Sequence, residues 1–441
     1  MKLALIIPEW GEVAGGLATY YRHLVPHLRN QGHEVHVFFG GSSVMDHSAD
    51  NGQADDWVHC LQSAHYQQYL PQFEHLRALA GLDGHMAAAW GLWSQAQAFA
   101  GGKPWDLVEC CDWGLGFMPW LADDTPLVVR LHASLGQIAR TEKLPGQAAF
   151  QSVCSVVEQL GLYWADALVT YSNANAASWE RRLGQPVSVV RPAYPVEPVS
   201  RCLDAKGLVS GKIQSWKGVE VLCQALERCP EVAIDWYGRD MPTHHQGRTR
   251  SMSQLMQQRY PNVWRTQLSA KGMVTPTELK TKRQGAAFVV VPSSWDVFNF
   301  TVVEAMAGAI PTVCSRGAGA GELISHGDNG LVFEPGDAAQ LAECLQQLMA
   351  MGDDQRAAMG QAGRECVAQS LDPETQAARH IDHYQKTLDQ PARQRPPSLW
   401  DALQDSMAVN SGTLDVAQNL AGRDLLRALA NRGRQRLGKR Q

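Results

Sequence analysis

The chain has 441 residues, room for two large domains or about three units of roughly 150 residues, which excludes a single small module. Hydrophobic residues make up 45% and charged residues 19%, so there is material for buried cores and no disordered-class composition. Lys plus Arg total 39 against 44 Asp plus Glu, a net charge of −5, which argues against wholesale binding of a phosphate backbone.

Leu3–Pro8 reads as a buried strand, since its five apolar residues are too few for a secretory leader core of about 7–15. Gly15-Gly16 and then Leu17, Tyr20, Tyr21, Leu24 and Leu28 at helical spacing precede a second strand, Glu34–Phe39, completing a βαβ unit. Strands follow at Leu107–Cys110, Leu127–Leu131, Ala167–Tyr171 and Val187–Val190, with helices at Phe150–Trp164 and Ala174–Leu183. The proline-dense Arg191–Val199 reads as a hinge. The rhythm then restarts with strands at Leu208–Val209, Ala233–Tyr237, Ala287–Val291, Thr312–Cys314 and Leu331–Phe333, and helices at Val219–Glu227, Ser253–Arg259, Thr277–Lys282, Val302–Gly308, Ala338–Met351 and Pro373–Leu388.

This alternation predicts an α/β protein of two Rossmann-like, doubly wound parallel-sheet domains facing a cleft, where ligands bind at strand carboxyl ends. The divisions are 1–192 for the first domain, 193–206 for the linker, 207–372 for the second domain, 373–390 for a helix placed to cross back to the first lobe, and 391–441 for a proline-rich break and tail. From Arg423 the tail holds seven Lys/Arg and one acid, with Leu425, Leu426, Leu429 and Leu437 on one helical face, a basic amphipathic pattern suited to peripheral contact with a membrane. No apolar run approaches the roughly 18–20 residues of a bilayer span. Ten scattered cysteines without a CxxC point to reduced thiols and a cytoplasmic setting, at most peripheral at the inner membrane face.

The most informative stretch is Ser293-Ser-Trp-Asp296-Val-Phe298-Asn-Phe-Thr-Val-Val-Glu304-Ala-Met-Ala-Gly308. It follows a strand, and Asn299 is a candidate helix N-cap, so Asp296 and Glu304 share one loop-to-helix corner. A helix N-terminus attracts phosphate, and adjacent carboxylates accept hydrogen bonds from sugar hydroxyls. Spacing alone equally allows a loop acid and a dipole-complementing glutamate.

The stretch resembles the acid-x7-acid signature of retaining glycosyltransferases of family four, usually Glu-x-Phe-x5-Glu-Ala and here Asp296-x-Phe298-x5-Glu304-Ala305, with Asp for the first Glu. Gly211-Lys212-x4-Lys217-Gly218 resembles the family's Gly-Arg-x4-Lys-Gly, with Lys212 for the arginine. Gly319-Ala-Gly-Glu322 and Asp328-Asn-Gly330 through Pro-Gly336-Asp337 resemble a third run. In the first lobe the matches are looser: Gly15-Gly16 before the first helix, and His132 after the strand at Leu127.

The resemblance implies the GT-B fold, an acceptor-side first domain and a second domain binding a nucleotide diphosphate sugar as co-substrate, with no cofactor. It implies donor contacts from Gly15, Gly16, Lys212, Lys217, Asp296, Val297, Phe298, Asn299 and Glu304. Glu304 would hold the ribose, Asp296 the donor sugar, the two lysines the diphosphate, and His132 would stand near the reacting carbon. Glu109, Asp112 and Trp113 would line the acceptor side, where a glycan or lipid-linked acceptor is expected. Backbone groups around Lys271–Val274 would meet the base.

No metal site is expected: there is no Asp-x-Asp, and His244-His245 lacks partners. Gly207–Lys212 is one residue short of a P-loop, Gly317–Gly321 lacks the dinucleotide spacing, and no GxSxG occurs. A nucleotide-sugar epimerase or phosphorylase on the same fold, or a catalytically silent subunit, stays open because of the Asp296 and Lys212 departures.

Overall fold

The computed structural model describes residues 1–11, 15–40, 55–79, 81–142, 148–196, 206–245, 248–391 and 393. The end of the expected linker and nearly all of the basic tail therefore lie outside the described residues.

The first lobe runs β1 (Lys2–Ile7), α1 (Gly16–Asn30), β2 (Glu34–Phe39), β3 (Val58–Cys60), α2 (Ser63–Tyr69), α3 (Leu82–Ala100), β4 (Leu107–Cys111), β5 (Leu127–Arg130), α4 (Leu135–Thr141), α5 (Ala148–Tyr163), β6 (Ala167–Thr170), α6 (Asn173–Leu183) and β7 (Ser188–Val189). Its seven strands are all parallel, in the order β3-β2-β1-β4-β5-β6-β7. β1 is buried from Leu3 to Ile7 because helices cover both faces of a parallel sheet. α1 lays Tyr20, Tyr21, Leu24 and Leu28 into that core.

The second lobe runs β8 (Gly207–Ser210), α7 (Val219–Leu226), β9 (Ile234–Tyr237), β10 (Pro242–His245), β11 (Arg248–Ser251), α8 (Met252–Arg259), α9 (Pro261–Thr266), β12 (Leu268–Gly272), α10 (Pro276–Gly285), β13 (Phe288–Val291), α11 (Phe300–Ala307), β14 (Thr312–Ser315), β15 (Leu331–Phe333), α12 (Ala338–Ala350) and α13 (Asp353–Ser370). Six parallel strands are ordered β12-β9-β8-β13-β14-β15, while β10 and β11 form a separate hairpin. In each lobe the order reverses at one point, β1/β4 in the first and β8/β13 in the second. A crevice opens at such a switch point, outside the strand ends.

The final helix, α14 (Pro373–Leu388), lies against α1 of the first lobe. The Tyr20 hydroxyl sits 2.6 Å from His380 Nε2, and His27 Nδ1 sits 2.7 Å from Glu374. The chain thus passes between lobes twice, and the passages touch where Tyr194 N donates to the Leu371 carbonyl (2.9 Å). No helix among the described residues is long and apolar enough to cross a membrane.

Among the described residues, nine of these elements lie beyond the sequence expectations, namely β3, β10, β11, β12, α2, α3, α4, α9 and α13. β3 and β12 are edge strands, the latter mostly exposed, and β10–β11 is a polar hairpin. α3 is buried on almost every side and so has no single apolar stripe. α13 packs on α11, and a Cβ at Gly360 would fall 2.1 Å from the Ala309 carbonyl oxygen; its buried positions are Met359, Gly360, Gly363 and Val367, two of them glycines, so it shows no apolar stripe.

The Lys212–Lys217 segment is held by a glycine. Gly218 has φ +80° and touches the end of β13 so closely that a Cβ would lie 1.8 Å from the Pro292 carbonyl oxygen. Left-handed strain alone is worth about 1–2 kcal/mol, and the clash adds to it. Gly218→Ala should lower the urea midpoint clearly; a midpoint equal to wild type would show that the loop can yield at this point.

Candidate functional site

Between the lobes lies a cleft of about 780 Å³ into which both switch points open. From the second lobe, the turn after β8 brings Lys212, Trp216 and Lys217, and the loop after β13 brings Asp296, Val297, Phe298 and Asn299 at the start of α11. Glu304 lies one turn further along α11, and Met273 and Val274 line the cleft after β12. The first lobe contributes Glu9, Gly15, Gly16, Trp113 and His132. The sequence-derived donor residues and Trp113 therefore meet on one cavity.

The acid loop is tightly knit. Asn299 takes the positive φ (+77°) that asparagine tolerates better than most residues. It caps α11 by accepting from Thr301 N (3.1 Å) while its amide donates to Asp296 Oδ2 (2.9 Å). Lys217 Nζ stands 2.5 Å from the same oxygen and 4.2 Å from the Trp216 ring centroid. Glu304 pairs with Arg283 at 2.7 Å. Arg283 is buried and lines the cleft, a site residue missed from sequence because it reads as an ordinary basic last turn of α10. Anion-attracting groups on this wall then include Lys212 and the N-terminal end of α11, where Thr301 N is already taken by the Asn299 cap.

His132 stands on the opposite wall between two tyrosines. The Tyr171 hydroxyl is 2.5 Å from Nδ1 and the Tyr21 hydroxyl 3.4 Å from Nε2. Tyr21 donates to Glu109 (2.9 Å), so its oxygen is left to accept, which favours a neutral imidazole protonated on Nε2. Burial, then the charge of Arg130, lowers His132 to about 3, so it carries no charge at neutral pH. Neither tyrosine was singled out beforehand; both fall on core-facing patterns.

Two acceptor-side expectations are corrected. Glu109 does not face the cleft: it is fully buried, and its oxygens accept from Arg130 Nε and Nη2 (2.9 Å each), Tyr21 and Tyr384 (2.9 Å each). Asp112 is also fully buried, and Oδ1 accepts from the backbone N–H of His132 (2.9 Å) and Ala133 (3.4 Å), so it shapes the histidine turn from behind. Burial pushes its carboxyl up to about 7 against those donors. Glu109 lies within β4 and Asp112 directly after it, near the strand end where a ligand-binding acid is expected, but both side chains turn into the lobe.

The lobes also meet directly. The Ser172 hydroxyl donates to the Val297 carbonyl (2.9 Å). Glu322 accepts from Asn173 N (3.1 Å), Asn173 Nδ2 (2.8 Å) and Ala174 N (3.0 Å) at the start of α6. Gly319 permits this approach, since a Cβ there would lie 2.2 Å from the Val297 carbonyl oxygen and 2.5 Å from the Ser172 hydroxyl.

Comparison with known proteins follows the two-lobe division. The profile of the family "Glycosyl transferases group 1" matches residues 204–366, and that of the "Glycosyl transferase 4-like domain" matches residues 15–193. The chain belongs to the group 1 glycosyltransferases. This glycosyltransferase is 26% identical over 409 residues to a D-inositol 3-phosphate glycosyltransferase of Xylanimonas cellulosilytica, covering 86% of the present chain and 94% of the relative. It is 25% identical over 408 residues to a glycogen synthase of Mycobacterium tuberculosis, covering 86% and 92%. Its fold is that of sucrose-phosphate synthase from Thermosynechococcus elongatus (TM-score 0.66, 19% identity, 88% and 99% of the chains) and of Anabaena HepE in complex with UDP-glucose (TM-score 0.60, 16% identity, 87% and 99%). Both lobes of the glycosyltransferase thus take the GT-B arrangement.

The buried Glu109 gives the glycosyltransferase a pH signature. Burial alone would raise its carboxyl, but the charge and hydrogen bonds of Arg130, with help from His380 and Tyr384, outweigh it and bring the value from 4.5 to about 2. A folded value below the unfolded one contributes stability that is full above about pH 4.5 and lost as pH falls towards 2. Glu109→Gln strands the buried arginine and should cost about 3–5 kcal/mol at pH 7, the gap to wild type narrowing below pH 4.5. Urea titrations from pH 7 to pH 2 measure this; a small, pH-independent gap would refute it.

Proposed function

We propose that this glycosyltransferase moves a sugar from a nucleoside diphosphate sugar to a glycan or lipid-linked acceptor with retention of configuration. The observation that carries the reading is the convergence of Lys212, Lys217, Asp296, Glu304 and the N-terminus of α11 on one cleft wall opposite His132. The UDP-glucose complex of HepE, a protein of the same fold, supports the donor class. Seven basic residues in the tail favour an anionic membrane face, where a lipid-linked acceptor is met.

Breaking the sugar–phosphate bond loads negative charge onto the diphosphate leaving group. Lys212, Lys217 and the helix N-terminus would stabilise that charge more in the transition state than in the bound donor, which is what lowers a barrier. A lysine in place of the usual arginine at 212 offers a point charge instead of a planar fork, a change in geometry but not in sign. Asp296 would accept from donor-sugar hydroxyls, with Lys217 and Asn299 already fixing one of its oxygens. Glu304 would accept from the ribose, with Arg283 holding its carboxylate in place. The neutral His132, held by two tyrosines, would bear on the donor sugar by shape. Met273 and Val274 lie where a base would rest.

The two acids should separate in a calorimeter. Ribose contacts are common to substrate and product, and hydrogen bonds to a charged group are worth about 1.5–3 kcal/mol, so Glu304→Gln should weaken binding of the free nucleoside diphosphate roughly 10-fold to 150-fold. Asp296→Asn should leave that affinity nearly intact and lower turnover. Unchanged affinity in Glu304→Gln would reject the ribose role, and a large loss in Asp296→Asn would mean the two assignments are reversed.

With lysines assigned to the diphosphate, donor turnover should persist in excess EDTA. Activity lost to chelator and restored by magnesium or manganese would displace the lysines from that role, and a chain that binds nucleotide sugar without ever turning it over would favour the silent-subunit reading.

A further inference from the structure

We propose that Glu142 of the first lobe is a positioning residue for this reaction: reaching across the cleft, it holds the side chains of Gln214 and Trp216 and thereby seats Lys217 when the lobes are together. The inference rests on the diphosphate role proposed for Lys217 and adds a residue and a coupling to it.

Glu142 follows α4. Its Oε2 stands 2.6 Å from Gln214 Nε2 and 3.0 Å from Trp216 Nε1. Gln214 and Trp216 lie between the two lysines on the turn after β8. The backbone of that turn is anchored inside its own lobe, where Ile213 N donates to the Arg239 carbonyl (2.8 Å) and Ser294 N to the Trp216 carbonyl (2.9 Å). The side chains of Gln214 and Trp216 bridge instead to the other lobe. An indole N–H can only donate and a carboxylate can only accept, so the Trp216–Glu142 contact fixes the plane of the ring. The face of that ring carries the Lys217 ammonium at 4.2 Å, and Lys217 in turn meets Asp296 at 2.5 Å. A cation over an indole face follows the ring that holds it. Lobe approach, ring orientation and lysine placement are therefore linked through contacts of known geometry.

Glu142 itself touches neither nucleotide-binding acid. Its removal should spare binding of a nucleoside diphosphate to the second lobe and impair the step that needs Lys217 in place with the lobes closed. A group on the diphosphate itself would affect both.

The test uses the full chain and whichever of UDP-, GDP-, ADP- and dTDP-glucose stabilises it most in a thermal-shift comparison, together with the corresponding free diphosphate. Glu142→Ala should lower kcat for donor hydrolysis roughly 10-fold to 100-fold, the range of a lost charge-assisted hydrogen bond, with diphosphate affinity within about 2-fold. Trp216→Phe keeps the ring and removes its donor; it should lower kcat similarly, and the double variant should be no worse than the poorer single one, because both break the same link. Lys217→Ala should lower kcat and affinity together. Unchanged kcat in Glu142→Ala, or multiplicative losses in the double variant, would overturn the positioning role. If Lys217→Ala left kcat and affinity intact, the lysine assignment would fall and the positioning role with it, a result distinct from failure of Glu142 alone.

Discussion

Glu109 and Arg130 stand side by side on the adjacent strands β4 and β5, both fully buried, and the first lobe is arranged around them. Taking two charges out of water costs several kcal/mol apiece, and such a pair is often no more stabilising than apolar side chains of the same volume. What it supplies is direction. A carboxylate has about four acceptor sites, and here they are met by two nitrogens of Arg130 and by hydroxyls from α1 and α14. The same guanidinium lies 5.5 Å from the Tyr171 ring, and Tyr21 donates to Glu109, so each of the two tyrosines that hold His132 meets one member of the pair. An apolar core could pack these helices but would not dictate the rotation of each hydroxyl.

The two Rossmann-like lobes and the acid loop were legible from the chain because each has a local signature: an apolar run, a helical stripe, or two acids at a fixed spacing across one loop-to-helix corner. The buried network was not. Glu109 and Asp112 stand at and just beyond the end of a strand, where a ligand-binding carboxylate is found at a switch point, and no feature of the sequence reports that Arg130 and Tyr384 wait on the inner side. Arg283 and Glu142 illustrate the same limit from the opposite direction. Each reads as an ordinary charge at a helix end, and each finds its partner only when a segment distant in sequence is folded against it. α3 was missed for a third reason, since a helix surrounded by protein has no polar face to give it a period.

The third family-like run finds its explanation at the lobe junction. Gly319 lets the second lobe approach Ser172 closely, and Glu322 supplies acceptors to the first N–H groups of α6, which have no partner inside their own helix. Val297 is thus bound by a hydroxyl of the first lobe while sitting between Asp296 and Phe298 in the acid loop. Gly319 and Glu322 of that run serve the joining of the two lobes, and the donor wall is partly shaped by the lobe it faces.

The return of α14 makes the second lobe, in topological terms, an insertion within the first. Tyr384 reaches Glu109 across 275 residues of chain. As the polypeptide leaves the ribosome, the first lobe emerges with its sheet complete but with one acceptor site of its central carboxylate unfilled, and the whole second lobe must be made before the missing hydroxyl arrives. The earlier-made half therefore reaches its final form only after the later-made half has been synthesised.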